Sequence, residues 1–347
     1  MKAARLHEHS KPLVIEEIPD PEVTGPFDVI VRTGAAGLCR TDLHIQDGWF
    51  DEAQKAAGMS LPYTPGHENA GWVESVGEGV THVQPGDTVI LHPVTTCGLC
   101  YACRAGNDMH CDSGLFTGIF ADGGFAQKIK TGARTVVKLD PSLHPASVAA
   151  LADAGLTAYH AVKKAVPLLH PGTKVVVVGA GGLGHIGIQC LSAMTPAEII
   201  VVDVNDDALE LAKVVGADQT VKADDGKIAA VRDLTDGRGG DVVIDFVGER
   251  GVEEWGPQMV RKGGSYFVVG YGGILQVPFQ HVILEEINFI GNLVGSYNDL
   301  VELMTLTAQG KVTLHTKTYP LDAINDAIDD LVNGRLQGRG ILVPNES

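Results

Sequence analysis

The stretch Lys-Val-Val-Val-Val at 174–178 runs directly into Gly179-Ala180-Gly181-Gly182-Leu183-Gly184, and a helical pattern follows. This order constrains the fold most, because a glycine motif between a buried strand and a helix is typical of a dinucleotide-binding βαβ unit. Glycines permit the tight turn and let backbone N–H groups approach a pyrophosphate at the positive end of the helix. The motif therefore predicts a cofactor site at Gly179, Gly181, Gly182, Leu183 and Gly184.

A second apolar strand pattern, EIIVVDV at 198–204, carries Asp203 near its end. An acidic residue at this point of the unit is placed to accept hydrogen bonds from the ribose hydroxyls. Its charge would repel a 2'-phosphate, and the next residues, Val204 and Asn205, offer no compensating cation. The sequence therefore favours NAD over NADP.

The pattern of the chain changes near residue 155. Before it, short alternating runs separated by glycine and proline predict a β-barrel-like half. After it, apolar strands alternate with helical patterns, which predicts a parallel sheet covered by helices on both faces and an α/β fold class. The final fifty or so residues match neither half. A chain of 347 residues is long enough for two cores.

The formal net charge of −17 disfavours binding to nucleic acid or to anionic membranes, and the lysines and arginines form no dense cluster. No apolar run approaches the roughly 20 residues that a membrane helix needs. The N-terminal residues MKAARLHEHS lack the apolar core of a secretory signal. These features predict a cytoplasmic protein with no nucleic-acid or membrane partner.

Four of the six cysteines, Cys97, Cys100, Cys103 and Cys111, are crowded into one short segment. Six unevenly placed cysteines do not resemble the disulfide framework of a small secreted domain. Four thiolates at this spacing can close around one tetrahedral zinc and leave no position for a substrate. The segment predicts a structural zinc site.

Two further candidate metal ligands are Cys39, in GLCRTDLH, and His67, in PGHENAG. Taken separately, each is only a weak indication of a metal site. An enzyme that uses NAD to oxidise an alcohol could polarise the oxygen with a zinc held by three protein ligands and one open position. Asp153 lies in the otherwise apolar stretch 149–162, where a buried carboxylate is costly unless it is paired, hydrogen-bonded or bound to a metal. It is the candidate third ligand, and the alternative is an N-cap of the helix that follows.

Taken together, these motifs resemble the zinc-dependent medium-chain alcohol dehydrogenases over essentially the whole chain. The resemblance implies a GroES-like β-barrel catalytic domain at 1–154, a Rossmann domain with a doubly wound parallel sheet at 155–291, and a segment at 292–347 that returns to the catalytic domain. Many members have a cysteine where this chain has Asp153. Some bacterial members that act on secondary alcohols and ketones, including aryl ketones, are similar in this stretch.

The resemblance also implies roles for single residues. Thr41 would touch the substrate oxygen, and His44 would end a proton relay through the nicotinamide ribose to solvent. Taken alone, Thr41 could be a turn hydroxyl and His44 a solvated residue, but their spacing from Cys39 favours the catalytic roles. Asp42 would orient the ring of His67. Glu68 would be either an alternate zinc ligand or a member of a structural ion pair.

Arg40 and Arg339 resemble the arginines that contact the cofactor pyrophosphate, since both offer a bidentate fork. By analogy of position, an apolar substrate pocket would include Trp49, Pro93, Phe116 and Val294. The alternative for the two arginines is that they are solvated at the surface. The alternative for the pocket residues is that they belong to the ordinary core.

The implied activity is oxidation of alcohols, secondary or aryl, to ketones or aldehydes, and the reverse reduction. It would use NAD and two zinc ions per chain, one catalytic and one structural. The implied partners are a small alcohol or ketone and further copies of the chain, in a tetramer. A polyol dehydrogenase is the alternative within the family and would have a more polar pocket. A non-catalytic, redox-sensing scaffold that keeps NAD and about one zinc is the alternative outside it.

Overall fold

The computed structural model describes residues 1–345. The strands, numbered along the chain, are β1 Lys2–Arg5, β2 Val14–Glu17, β3 Asp28–Leu38, β4 Glu68–Val76, β5 Thr88–Leu91, β6 Val94–Thr95, β7 Leu115–Phe116, β8 Lys128–Gly132, β9 Val136–Lys138, β10 Lys174–Val178, β11 Glu198–Asp203, β12 Gln219–Lys222, β13 Gly240–Asp245, β14 Val260–Val268, β15 Asn288–Gly291, β16 Thr316–Pro320 and β17 Arg339–Val343. The α-helices are α1 Arg40–Gln46, α2 Asp51–Ala56, α3 Tyr101–Arg104, α4 Pro145–Val148, α5 Ala154–Ala165, α6 Gly184–Met194, α7 Asp206–Val214, α8 Lys227–Leu234, α9 Val252–Trp255, α10 Phe279–Glu285, α11 Tyr297–Ala308 and α12 Ile324–Val332. None of these helices is both long and apolar enough to cross a membrane.

The chain forms two compact units. The β-rich unit joins Met1–Ala154 to the chain from Ser296 onward, and the parallel-sheet unit is Gly155–Gly295. The return thus comes at Ser296, whereas the sequence placed it at 292. Asn292 is tied to the parallel-sheet unit, because its side-chain amide donates hydrogen bonds to the carbonyls of Val268 and Ile290.

The β-rich unit is organised around the long strand β3. Strands β4, β8 and β17 all pair with it antiparallel, and the main sheet has the order β16-β17-β3-β4-β5-β9. Ile341 of β17 lies opposite Gly37 of β3, so the C-terminal segment completes this sheet. The register also places Gly37 opposite Glu68, which brings the end of β3 beside the start of β4.

Helix α1 is anchored to the core of the β-rich unit through Ile45. This side chain is buried in one cluster with Leu38 of β3 and Leu342 of β17. The first turn of α1, with Thr41 and Asp42, lies at the end of β3 because only Cys39 separates the strand from the helix. The core thereby sets the position of the helix that follows Cys39.

The parallel-sheet unit has six parallel strands in the order β12-β11-β10-β13-β14-β15. Its central strands are runs of valine and isoleucine that are almost completely buried, as expected for strands covered by helices on both faces. The strand order reverses between β10 and β13, and a doubly wound sheet binds dinucleotides at this point, at the carboxyl ends of the strands. The glycine motif follows β10. This is the predicted Rossmann architecture, and the α/β fold class is confirmed.

Candidate functional site

Four side chains of the β-rich unit form a mixed-donor cluster, Cys39, His67, Glu68 and Asp153. One potential ligand atom from each lies within 4.8 Å of the others. Cys39 lies between β3 and α1, His67 and Glu68 lie at the start of β4, and Asp153 precedes α5. We call this set the mixed cluster. It brings together the three zinc ligands that the sequence proposed, with Glu68 beside them.

Asp42 links the local capping of α1 to the orientation of His67. Its Oδ2 accepts a hydrogen bond from the backbone N–H of Cys39 at 2.8 Å, at the start of the helix. Its Oδ1 lies 3.1 Å from Nδ1 of His67, so the ring donates from Nδ1 and presents Nε2 to the cluster. A carboxylate on the outer nitrogen is the usual partner of a zinc-binding histidine.

The other nitrogen of His67 faces the cluster without a hydrogen bond. The ring is 1% exposed, and Nε2 makes no hydrogen bond to any residue that the structure describes. It lies 3.4 Å from Oδ2 of Asp153. Burial opposes a positive charge on the ring, yet the negative charges of Asp42 and Asp153 prevail and raise the pKa of His67 above its ordinary value. Negative charge therefore predominates around this imidazole.

Glu68 and Arg339 form a buried ion pair beside the cluster. The two side chains are 0% and 5% exposed, and an Nη2–H of the arginine donates to Oε2 of Glu68. Oε1 of Glu68 accepts from the backbone N–H of Ala154 at 3.0 Å. Burial raises the pKa of Glu68, and the Arg339 charge opposes that rise. A Cβ at Gly37 would overlap the Glu68 carboxylate, so this packing requires glycine there.

The backbone of Asp153 bears on the capping alternative. Its φ of −128° and ψ of −62° differ from the extended conformation that an N-cap residue usually adopts. The first N–H of α5, that of Ala154, donates to Glu68. The backbone conformation therefore favours the ligand interpretation over the cap.

The mixed cluster suits a zinc ion by the chemistry of its donors. One thiol, one imidazole nitrogen and carboxylate oxygen are all established zinc ligands. The unsatisfied Nε2 of His67 points into the cluster, and the excess of negative charge there favours a cation. Cys39, His67 and Asp153 would provide the three ligands of a site with an open position.

The second group is the four-cysteine cluster, Cys97, Cys100, Cys103 and Cys111, whose sulfur atoms also lie within 4.8 Å of one another. The backbone N–H groups of Leu99 and Cys100 donate to Sγ of Cys97 and lower the pKa of that thiol to about 6. Thiolate is the form that binds zinc. The arrangement fits the predicted structural zinc, since all four donors are sulfur.

The remaining predicted residues of α1 and the pocket are distributed as follows. Arg40 begins α1 and is exposed, Thr41 is half-buried and His44 is buried. The Trp49 ring stacks on the ring of His44. The Phe116 ring meets that of His67 edge to face, with centroids 6.1 Å apart. Pro93 is buried in the β-rich unit, and Val294 is buried in the parallel-sheet unit.

The glycine motif has the backbone that its sequence predicts. Gly179 has φ +89°, and a Cβ at Gly184 would overlap the carbonyl oxygen of Gly179, so α6 begins in close contact with the turn. Oδ2 of Asp203 accepts from the N–H of Ala180 at 2.7 Å, and Oδ1 accepts from the N–H of Asn205 at 2.8 Å. Gly181, Gly182 and Leu183 lead into α6. Asp203 therefore holds the glycine loop in place, a role that the sequence did not reveal.

Sequence reasoning missed two further contacts. It placed Arg339 on a pyrophosphate and had no signal for its pairing with Glu68, which is 271 positions away. It assigned Trp49 and His44 separately, although Gly48 between them and the end of α1 indicate a turn that could have suggested their contact.

Known proteins resemble the chain along its full length. Residues 25–141 match the alcohol dehydrogenase GroES-like domain, and residues 182–309 match the zinc-binding dehydrogenase family. An NAD-dependent alcohol dehydrogenase of Sulfurisphaera tokodaii is 39% identical, over 99% of this chain and 100% of that one. An alcohol dehydrogenase of Geobacillus stearothermophilus is 36% identical, over 99% of both chains. The crystal structure of the alcohol dehydrogenase from Aeropyrum pernix matches with a TM-score of 0.95 and 48% identity, over 99% of this chain and 100% of that one.

Proposed function

The chain belongs to the zinc-dependent medium-chain alcohol dehydrogenases, and on that premise we propose that it oxidises a secondary or aryl alcohol with NAD and catalyses the reverse reduction. The observation that carries this proposal is the mixed cluster. It joins a thiol, an imidazole and a carboxylate in a buried site directly before the helix that bears Thr41 and His44.

Cys39, His67 and Asp153 hold the catalytic zinc in this proposal. When bound, the zinc supplies Lewis acidity that lowers the pKa of a substrate hydroxyl. Asp42 keeps the His67 ring in the tautomer that presents Nε2. Glu68 is held by Arg339 and Ala154, and it serves as an alternate ligand only after that ion pair opens.

In this proposal, Thr41 and His44 transfer the proton of the substrate hydroxyl. The hydroxyl of Thr41 accepts a hydrogen bond from the substrate, and His44 passes the proton onward to solvent. Both side chains lie on α1, within five residues of Cys39, so one helix carries both groups. Trp49, Pro93 and Phe116, all in the β-rich unit, contribute apolar surface for the rest of the substrate.

The parallel-sheet unit would hold NAD, which would supply the acceptor for a hydride from the alcohol carbon. The backbone N–H groups of the glycine motif bind the pyrophosphate. The carboxylate of Asp203 retains free lone pairs for the ribose hydroxyls, because each oxygen accepts one backbone hydrogen bond.

A double substitution tests the cofactor assignment. Asp203→Gly with Val204→Arg removes the repulsion and adds a cation at a position that is 70% exposed. We expect the ratio of kcat/KM for NADP to that for NAD to rise by at least about 100-fold, the size of a few kcal/mol. Because Asp203 also holds Ala180, Tm is measured in parallel. An unchanged ratio in a folded variant would show that Asp203 does not determine the choice of cofactor.

The substrate class is tested by a kinetic screen of primary, secondary and aryl alcohols and of polyols, each with NAD and NADP. An apolar pocket predicts the largest kcat/KM for secondary or aryl alcohols. A preference for polyols would support the alternative activity and would require polar groups in the pocket.

Further copies of the chain are the proposed partners, in a tetramer. The parallel-sheet unit has an open edge strand, β15. Large apolar side chains near it in sequence are well exposed, namely Ile274, Phe279, Ile283, Leu284 and Leu293. An open edge and exposed apolar surface favour association. Light scattering on the purified protein measures the mass, and Ile283→Asp is expected to reduce it; a monomeric wild type would overturn this proposal.

A cytoplasmic location is proposed from the cysteines. All six are free thiols, and a reducing compartment keeps cysteine clusters available for zinc. Measuring the chain in fractionated cells of its source tests this assignment.

A further inference from the structure

The rings of His44 and Trp49 stack face to face. Their centroids are 4.0 Å apart and their planes differ by 5°. The imidazole is 8% exposed, whereas the indole is 55% exposed, so the indole covers one face of the imidazole and shields it from solvent. Both residues were assigned separately above, one to the proton relay and one to the pocket. Their contact joins the two roles.

The backbone between the two rings explains the stack. Helix α1 ends at Gln46, and Gly48 has φ +82°, which turns the chain back. The N–H of Trp49 then donates to the carbonyl of His44 at 3.0 Å. The indole thus approaches the imidazole through a short turn that its own backbone hydrogen bond closes.

The turn is supported from the outside by His9. A Cβ at Gly48 would lie 3.1 Å from the His9 ring, so this ring packs directly on the glycine. Nε2 of His9 lies 3.3 Å from Oδ1 of Asp51, and Lys55 donates to the other oxygen of Asp51 at 2.6 Å. These contacts, which connect the turn to α2 and to the N-terminal segment, hold Trp49 over His44.

A face-to-face stack restrains an imidazole in a specific way. The side-chain torsion that rotates a histidine ring has a broad energy profile, and a flat neighbour limits it to orientations parallel to that neighbour. The stacking contact is made by the face of the ring and does not involve hydrogen bonds of the two nitrogen atoms, which lie in the plane of the ring. Proton transfer depends first on the position of those nitrogens and then on their pKa.

We propose that Trp49 is a positioning residue that orients the His44 imidazole for proton transfer, in addition to lining the substrate pocket. The proposal rests on the relay role of His44 given above. Trp49 makes no proton transfer itself. It acts by fixing the plane in which His44 receives and releases the proton.

A double-mutant cycle tests the coupling, with the enzyme, His44→Gln, Trp49→Ala and the double variant. The readout is the rate of proton release in the first turnover of alcohol oxidation, followed with a pH indicator. We expect Trp49→Ala to slow proton release by about tenfold, a fraction of the 10²–10⁴ that general acid–base catalysis contributes. In the His44→Gln background, Trp49→Ala should change the rate by less than about twofold, because residues that act as a unit are not additive.

Two further measurements separate positioning from pocket lining. A small base such as imidazole, added at high concentration, should partly restore proton release in Trp49→Ala, since a free base replaces a poorly oriented side chain. Trp49→Phe keeps an aromatic face for the stack and should recover most of the loss. A residue that only lines the pocket would change KM for bulky alcohols and would show no response to the added base.

Tm and zinc content verify that each variant is folded, and for folded variants the possible outcomes are distinct. An equal loss on Trp49→Ala in both backgrounds, or a change in KM alone, overturns the positioning role. Wild-type proton release in His44→Gln would instead overturn the relay on which the proposal rests. If Trp49→Ala does not fold, Trp49→Leu replaces it, and the same comparison between backgrounds decides.

Discussion

The four-cysteine cluster takes all its donors from the segment 97–111, whereas the mixed cluster collects them from positions 39, 67, 68 and 153. The two clusters also differ in how deeply their side chains are buried. In the mixed cluster, three residues are buried and Asp153 is half-buried. In the four-cysteine cluster, only Cys103 is buried, and Cys97 is exposed.

The comparison shows two ways of preparing a metal site. In the four-cysteine cluster, a turn of the backbone brings four identical donors together, and its own N–H groups stabilise the thiolate of Cys97. In the mixed cluster, the donors differ, and separate groups hold two of them: Asp42 holds His67, and Arg339 holds Glu68. In the proposed roles, the first arrangement stabilises the fold and the second leaves a coordination position for the substrate. Changes in the two clusters should therefore have different consequences.

The largest effect is expected from Asp153→Asn. A neutral amide is a poor zinc ligand, so zinc content should fall from about two to about one per chain. Activity should fall further than the 10–100-fold that loss of a supporting residue costs, by more than about 100-fold in kcat/KM. Elemental analysis and steady-state kinetics measure both quantities.

Asp153→Cys is the matched control, because a thiolate can still bind the zinc; it should retain the metal with altered kinetics. Two zinc ions and near-normal turnover in Asp153→Asn would show that the carboxylate is a helix cap.

Asp42 comes next, because it supports the mixed cluster without joining it. Asp42→Asn can still accept the N–H of Cys39 but lacks the charge that holds the His67 ring. We expect a loss of about 10–100-fold in zinc affinity or activity. Asp42→Ala should show the same loss and, in addition, about 1 kcal/mol of lost stability from the missing cap.

Competition with a chelator measures zinc affinity, and thermal denaturation measures stability. Native zinc affinity in Asp42→Asn would show that hydrogen bonding to α1 is its only role.

Cys100→Ser tests the four-cysteine cluster. It should remove the second zinc and lower the stability of the β-rich unit by at least about 2 kcal/mol, or roughly 4–8 °C in Tm. Molecules that remain folded should keep the catalytic zinc and turn over at a rate within severalfold of wild type. If Cys100→Ser instead abolishes turnover in a fully folded protein, the four-cysteine cluster is coupled to the chemistry.

The smallest effect is expected at Asp28, which lies outside both clusters. Lys130 and the backbone N–H groups of Thr24 and Gly25 stabilise its carboxylate and lower its pKa from 3.8 to about 2. Because the carboxyl is more acidic in the folded chain, it stabilises the fold above the ordinary pKa, and this contribution disappears as pH falls toward about 2.

Asp28→Asn should therefore cost about 1 kcal/mol near neutral pH, after allowance for solvent screening. The difference in Tm from wild type should shrink in acid, while zinc content stays unchanged. A difference in Tm that is independent of pH would show that the carboxylate charge contributes nothing.

The sequence predicted the parts of the fold that depend on neighbouring residues. The glycine motif between β10 and α6 is readable because strand, turn and helix are contiguous, and the four-cysteine cluster is readable because its spacing is short. The parallel sheet follows from alternating apolar strands and helices. The β-rich unit takes up the chain again at Ser296, four residues after the predicted 292, and local composition carries no signal for the side-chain hydrogen bonds of Asn292 to Val268 and Ile290.

Residue identity and spacing by themselves determined the glycine motif, the acidic end of β11 and the two sets of metal donors. The tertiary structure decided how the mixed cluster is completed: Asp42 reaches His67 across 25 positions, Arg339 reaches Glu68 across 271, and Gly37 makes space for the Glu68 carboxylate. These contacts depend on the register of β3 with β4 and β17. The charges matter because they are buried, where a carboxylate without a partner is costly, and burial is a property of the folded chain.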